Sequence, residues 1–233
     1  MSWVRRVERR IRRLQYHRQT VQIMTRVLGP NSNCVVVGAG RGSLLAEVDR
    51  LAPRGRHFAY EPLPALAEGL AKRYPTVHVE QVAASDTSGE QPFYHVVSRP
   101  EYSGLRRLGT IPSGLRIQEL LVRTEPLDDL LPADAQIHFV TIEVEGAQLQ
   151  VLRGAEHVIM RWKPVIIFDY GTSAILGYGT SPAMLWSMVV ERYGLRISRL
   201  WDWLRRERPL TREEFESNVG FQSGSEFRFL AHL

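Results

Sequence analysis

Six side chains of this chain have types and positions suited to holding a charged, nucleoside-sized ligand and moving a proton: Glu61, Ser85, Asp86, Glu143, Glu145 and Asp169. Each follows at or near the end of a short apolar run of the kind that forms a buried strand. Glu61 closes His57-Phe58-Ala59-Tyr60, and an acid at such a strand end accepts both hydroxyls of a ribose. Ser85 and Asp86 could accept the amino group of an adenine, although Ser-Asp-Thr-Ser-Gly is also ordinary turn chemistry. Glu143 and Glu145 end the run that begins at Ile137, and strand alternation puts them on one face. Glu143 is the first choice for a catalytic residue, because a carboxylate can take the proton of a hydroxyl. Glu145 could do the same, or cap the helix that follows Gly146. Asp169 could complete a cluster with these two acids. Three carboxylates can hold Mg²⁺, but the spacing matches no metal signature and no metal site is expected. His95, His138 and His157 lack ligand spacing, and Ser43 lacks the elbow pattern of a nucleophile.

Between the first two strands lies a glycine turn, Gly38-Ala39-Gly40-Arg41-Gly42, after the β-branched run Cys34-Val-Val-Val. Three glycines in five residues allow a sharp turn and a close approach to a ligand. Leu44-Leu45-Ala46-Glu47 resumes helical character, so the ligand meets a helix N-terminus. A dinucleotide turn reads G-x-G-x-x-G. Here the pattern is G-x-G-x-G with no phosphate-binding lysine, which points away from dinucleotides and nucleoside triphosphates. Gly38, Ala39, Gly40, Gly42 and Glu61 are therefore the core of the candidate nucleoside site, with Ser85, Asp86 and Glu143 at its edge.

Strands alternating with helices must position these groups. Helices are expected over Pro64–Arg73, Gln148–Met160 and Ser181–Tyr193, with a capping box at Thr211–Glu214. Strands are expected over 77–82, 91–97, 137–144, 165–168, 195–200 and 227–230. Arg99 to Glu119 reads as a long loop over the site. The pattern predicts an α/β fold with a doubly wound, mostly parallel sheet, whose ligands bind at the carboxyl ends of the strands. An amphipathic helix over Val4–Leu28 precedes it, ended by Gly29-Pro30. The expected organisation is residues 1–30 as this basic helix and 31–233 as one domain.

The chain has 233 residues, 44% of them hydrophobic, and a formal net charge of +5. No run approaches the ~20 apolar residues that span a membrane, and the N-terminal arginines precede no apolar stretch of a secretory signal. The single Cys34 rules out an intramolecular disulfide and agrees with a reducing compartment. A cytoplasmic location is expected, with peripheral membrane contact through the arginine helix left open. The basic excess is terminal rather than a stripe leading into the site, which argues against nucleic acid as partner. A homo-oligomer is neither implied nor excluded.

In order, the segments Val37–Gly42, Tyr60-Glu61-Pro62, Val82–Asp86, Thr124–Leu131, Ile142–Ala147, Val151–Ala155 and Val165–Asp169 resemble the FkbM-type family of class I S-adenosylmethionine-dependent methyltransferases. The resemblance spans roughly residues 33 to 170. It implies a Rossmann-like fold, S-adenosyl-L-methionine as cofactor, and O-methylation of a hydroxyl on a sugar or another small, tailored or glycosylated acceptor, with Glu143 beside the methyl position as a catalytic or donor-orienting acid and Tyr102 and Ser103 in reach of the acceptor. The chain departs from the family's Lys-x-Asp-Val-Glu-Gly-x-Glu segment: Thr141 stands for the lysine, Glu143 for the aspartate and Gln148 for the final acid. It also has only valines where an acid or amide usually precedes the first glycine. Those departures keep two alternatives in view, a catalytically degenerate protein that binds a nucleoside or a partner, and an RNA methyltransferase.

Overall fold

A computed structural model describes residues 3–107, 111, 114–219 and 226–233. Helix α1 (Trp3–Val27) leads into β1 (Asn33–Val37), α2 (Ser43–Leu51), β2 (His57–Tyr60), α3 (Pro64–Arg73) and β3 (His78–Glu80). Next come β4 (Ala83–Ala84), β5 (Gly89–Val96), β6 (Ile117–Glu125), α4 (Leu127–Leu130), β7 (Ile137–Ile142), α5 (Gln148–Arg153) and α6 (Glu156–Trp162). The chain closes with β8 (Val165–Gly171), α7 (Thr172–Tyr178), α8 (Pro182–Trp186), β9 (Arg196–Arg199), α9 (Leu200–Leu204), α10 (Arg212–Asn218) and β10 (Glu226–His232).

The main sheet has seven strands in the order β3-β2-β1-β7-β8-β10-β9. The first five run parallel, and β10 is antiparallel to both β8 and β9. The order reverses at β1, between β2 and β7, which is where a doubly wound sheet opens a crevice for a ligand. One apolar layer packs Val35, Val37, Val140, Ile142, Phe168 and Phe229 against α5, α6, α8 and α10. The other packs Val36, Phe139, Ile167 and Leu230 against Ile23 and Met24 of α1 and Leu44, Leu45 and Val48 of α2. The second half of α1 is therefore part of the core, with Thr20, Ile23 and Met24 fully buried. The side chains of Arg5, Arg6, Arg9, Arg10 and Arg13 lie outside the described residues.

Four expectations change. The segment read as a loop from Arg99 to Glu119 ends in a strand: β6 pairs antiparallel with β5 from Gly89↔Thr124 to Val96↔Ile117. With β4 it forms a separate three-stranded sheet. Its polar, outward-facing residues hid it from an apolar pattern. The helix expected over Gln148–Met160 is two helices. At the joint, a Cβ on Gly154 would fall on the Ser85 carbonyl oxygen, so the backbone runs too close to β4 for any other residue. The helix from Pro182 widens to a π-helix over Ser187–Arg192, though Ser181 caps it as expected by accepting from Met184 N at 3.2 Å. Helices α7 and α9 carry no signal strong enough to anticipate them.

The expected capping box is present, with Thr211 Oγ1 accepting from Glu214 N and Glu214 Oε2 accepting from Thr211 N. A second cap comes from far away in sequence. Asp128, in the Thr124–Leu131 segment, accepts from His157 N at 2.8 Å and Val158 N at 3.0 Å, closing the first turn of α6. Asp128→Ala should lower stability by about 1–2 kcal/mol, the usual loss of a side-chain cap. Chemical denaturation measures it, and an unchanged midpoint would show that α6 does not need the cap.

Candidate active site

Strands β1 and β7 lie side by side, with Val36 opposite Thr141 and Val37 opposite Ile142, and they end at the same level. The segments that leave them are tied together. Gly38 N donates to Tyr60 O at 2.9 Å, and Glu143 N donates to Val37 O at 2.9 Å. Gly38, Gly40 and Gly42 have φ of 72°, 53° and 80°, the left-handed region that favours glycine. The three are glycines for different reasons. A Cβ on Gly38 would fall on the Glu143 carbonyl oxygen. One on Gly42 would meet Leu70 Cδ2 at 2.7 Å and Tyr74 Cε2 at 3.0 Å. Among the described residues other than its chain neighbours, one on Gly40 would find only the Gly38 carbonyl oxygen, at 3.9 Å. The outer glycines fasten the turn to β7 and α3, and the middle one borders open space that a ligand can enter.

Glu61 is the acid beside that space. Its Oε2 accepts from Gly40 N at 2.8 Å and its Oε1 from Leu63 N at 3.0 Å. Only 4% of the residue is exposed. Burial pushes the carboxyl pKa up, and the two amide bonds work against that rise. Each carboxylate oxygen has two lone pairs, so acceptor capacity remains for a vicinal diol. The glycine turn and Glu61 thus fit a nucleoside.

Glu143 and Glu145 do not share a face. Strand β7 stops at Ile142, so alternation no longer governs them. A tight turn follows, in which Gly146 (φ 87°) donates to Val144 O at 3.0 Å. Gln148 Nε2 also donates to Val144 O, at 2.6 Å, a bond that an acid at this position could not donate. Glu143 turns toward the layer covered by α1, where its Oε1 lies 2.6 Å from Arg228 Nη2. Arg228 also grips Asp169 in a two-pronged pair, Nε to Oδ1 at 2.7 Å and Nη2 to Oδ2 at 2.9 Å. Burial opposes the Arg228 charge, and the two carboxylates outweigh it and raise its pKa. Of the three acids expected to cluster, Glu143 and Asp169 are brought together on one guanidinium, and Glu145 is not among its partners.

Sequence reasoning missed Arg228. It sits directly opposite Asp169 only because β10 inserts antiparallel beside β8. The one local clue is a charge inside the apolar run Phe227–Leu230.

Glu145 lies under the connection between β5 and β6. A Cβ on Gly104 would sit 3.2 Å from the Glu145 carbonyl oxygen, 3.6 Å from its Cβ and 3.7 Å from Tyr178 Oη. The connection is fastened down: Ser103 Oγ accepts from Val96 N at 2.9 Å, and Gly104 bridges to Tyr94. Arg106 stands 5.3 Å from the Tyr178 ring centre. Burial pushes the Tyr178 hydroxyl up to about 12; Arg106 opposes the rise and Glu145 adds to it. Tyr102 and Ser103, read from sequence as acceptor contacts, thus belong to the segment that covers Glu145. Ser85 N donates to Glu125 O at 3.0 Å, and Asp86 Oδ2 lies 3.6 Å from Arg153 Nη1. These contacts tie the segment to β6 and α5.

A seven-stranded sheet with this strand order and one inserted antiparallel strand, with a glycine turn and a strand-end acid at its reversal point, defines a class I methyltransferase-like fold. Residues 37–206 match the methyltransferase FkbM domain. The chain belongs to the FkbM methyltransferase family. A solved methyltransferase FkbM from Methylobacillus flagellatus KT is 15% identical with a TM-score of 0.54, covering 88% of this chain. This chain spans 44% of that protein's length. A TehB-like SAM-dependent methyltransferase from Corynebacterium glutamicum is 11% identical with a TM-score of 0.46, covering 97% of this chain and 95% of that one. Among curated proteins nothing matches. Among the described residues no helix is long and apolar enough to cross a membrane.

Proposed function

We propose that this chain transfers a methyl group from S-adenosyl-L-methionine to a hydroxyl of a sugar or another small, tailored metabolite. The observation that carries the reading is the open space over Gly40, bordered by the buried Glu61 carboxylate. Membership of the methyltransferase family supports it. The bound donor supplies an electrophilic methyl on a sulfonium. Gly38, Ala39, Gly40 and Gly42 cradle the nucleoside, and Glu61 takes the ribose hydroxyls. Glu143 and Asp169, with Arg228 between them, face the donor's cationic end.

When bound, the donor would supply the methyl carbon to the acceptor oxygen, the carbon–sulfur bond breaking to leave a neutral thioether. The hydroxyl proton goes to a carboxylate and then to water. Sequence position alone puts Glu143 first for turnover. Its ion pair with Arg228 occupies one carboxylate oxygen and suits it to orienting the donor. Glu145, beneath Gly104 and near Tyr178, is better placed to take the proton. Holding both partners aligned contributes several kcal/mol to the rate, and the fastened segment over Glu145 serves that alignment.

A screen of sugar and polyketide hydroxyls with labelled donor tests the activity. With an acceptor in hand, Glu145→Gln should lower kcat roughly 10²-fold with little change in donor affinity. Glu143→Gln should chiefly weaken the donor. The reverse pattern would return the base to Glu143. Donor binding with no acceptor ever methylated would favour a binding protein on a methyltransferase fold.

A further inference from the structure

Donor binding at this site must accommodate a change of charge. The sulfonium carries a positive charge before transfer, and the thioether product carries none. The described groups around Arg228 show how the local charge is set. Asp169 on β8 and Glu143 after β7 each bring one negative charge, and the buried guanidinium on β10 cancels one of them. From α1, Thr20 Oγ1 lies 3.4 Å from Arg228 Nη1, and the Tyr16 ring centre lies 5.9 Å from its guanidinium carbon. Burial raises the Tyr16 pKa, so its phenol stays neutral, and Arg12 acts on it only from farther along the helix. Among the described side chains of α1, the two that reach Arg228, Thr20 and Tyr16, are uncharged.

We propose that Arg228 is a positioning residue that fixes the net charge of the Glu143–Asp169 pair, at the donor's cationic end, at a single negative charge. It thereby sets how far the site favours the sulfonium donor over its neutral thioether product. This rests on the donor reading above. With two uncompensated carboxylates the site would hold the cation more strongly and discriminate more sharply. Two acids this close also cannot both stay ionised without a compensating cation, so one would take up a proton as pH falls. The arginine supplies the compensating charge at every working pH, so this pair adds no pH dependence of its own to the preference.

The test is calorimetric titration of the full chain with S-adenosylmethionine and S-adenosylhomocysteine from pH 5 to 9, with melting curves to monitor the fold. The quantity read is the ratio of the two dissociation constants, because the amino and carboxylate groups common to both ligands cancel in it. Wild type should give a ratio that is flat with pH. Arg228→Gln should shift it about tenfold toward the sulfonium at high pH, the order of one unit charge inside a protein, and the shift should fade as pH falls. Asp169→Asn should shift it about tenfold the other way. Arg228→Lys should keep the wild-type ratio even where both ligands bind more weakly. Equal weakening of both ligands in Arg228→Gln and Asp169→Asn, with the ratio unmoved, would reduce Arg228 to a structural pair and overturn the proposal. Should Arg228→Gln not fold, the opposite shift in Asp169→Asn and the unchanged ratio in Arg228→Lys still decide it. Wild-type protein that binds neither ligand would instead sink the donor reading itself, a separate result from an unmoved ratio.

Discussion

Gly40→Ala should remove most donor affinity and leave the fold nearly untouched, whereas Gly38→Ala should unfold the protein far more readily. Both positions have positive φ, 53° and 72°, so alanine is strained at either by about 1–2 kcal/mol. They differ in what the new methyl meets. At Gly40 it projects into open space, with no described residue other than its chain neighbours nearer than 3.9 Å. The protein feels only the strain, but the ligand loses that volume. Donor affinity should fall roughly tenfold to a hundredfold, as expected for a misplaced methyl costing about 1–3 kcal/mol. At Gly38 the methyl falls on the Glu143 carbonyl oxygen, a backbone atom that cannot swing aside. Strain and overlap together should cost about 2–5 kcal/mol. The melting temperature should then drop by roughly 5–20 °C for a chain of this size. Melting curves and calorimetry with S-adenosylhomocysteine separate the two effects. A Gly40→Ala protein that binds as tightly as wild type would show that the donor does not pass over this glycine.

Glu61→Ala should be nearly as severe, because the carboxylate does two jobs at once. It accepts from the Gly40 and Leu63 amides in a buried setting, and each amide left unpaired costs about 1–3 kcal/mol. The ribose hydroxyls lose their acceptor as well, which should weaken the donor by roughly 1–3 kcal/mol. Glu61→Gln separates the roles, since its carbonyl oxygen keeps one amide partner while its amide group faces the other. The pH dependence has a defined sign. Burial raises the folded pKa of Glu61. Its contribution to stability is therefore greatest when it is protonated and is lost as pH rises through that raised value. Donor binding should run the other way: affinity falls as pH drops through the raised pKa, because the protonated acid accepts fewer hydrogen bonds. Glu61→Gln should abolish that acid limb. Unchanged donor affinity in a folded Glu61→Ala protein would remove the ribose assignment.

What could be read from the chain alone was whatever depends on neighbours in sequence. The β-branched run before Gly38, the glycine turn and the acid at the end of β2 are each local, and together they announce a strand, a turn, a helix and a ligand. Alternation of apolar runs with helical stripes was enough for a parallel, doubly wound sheet, because both periods are properties of the local backbone. Caps such as Ser181 and Thr211 act within three residues and were legible for the same reason. The tertiary structure decided the rest. Strand β6 was invisible because its partner β5 lies across a long connection and its residues are polar on the open side. Glu143 and Glu145 part because β7 ends at Ile142 and Gly146 turns the backbone, which a strand rule cannot foresee. Arg228 meets Asp169 and Glu143 across gaps of 59 and 85 positions in the chain only through the antiparallel insertion of β10. Helix α1, which reads as a separate basic segment, places Thr20 and Tyr16 over that arginine and buries Ile23 and Met24 in the core. Charge balance at the candidate site is thus a property of packing. Coulomb interactions depend on distance in space, and distance in space between remote segments is set by how the sheet is assembled.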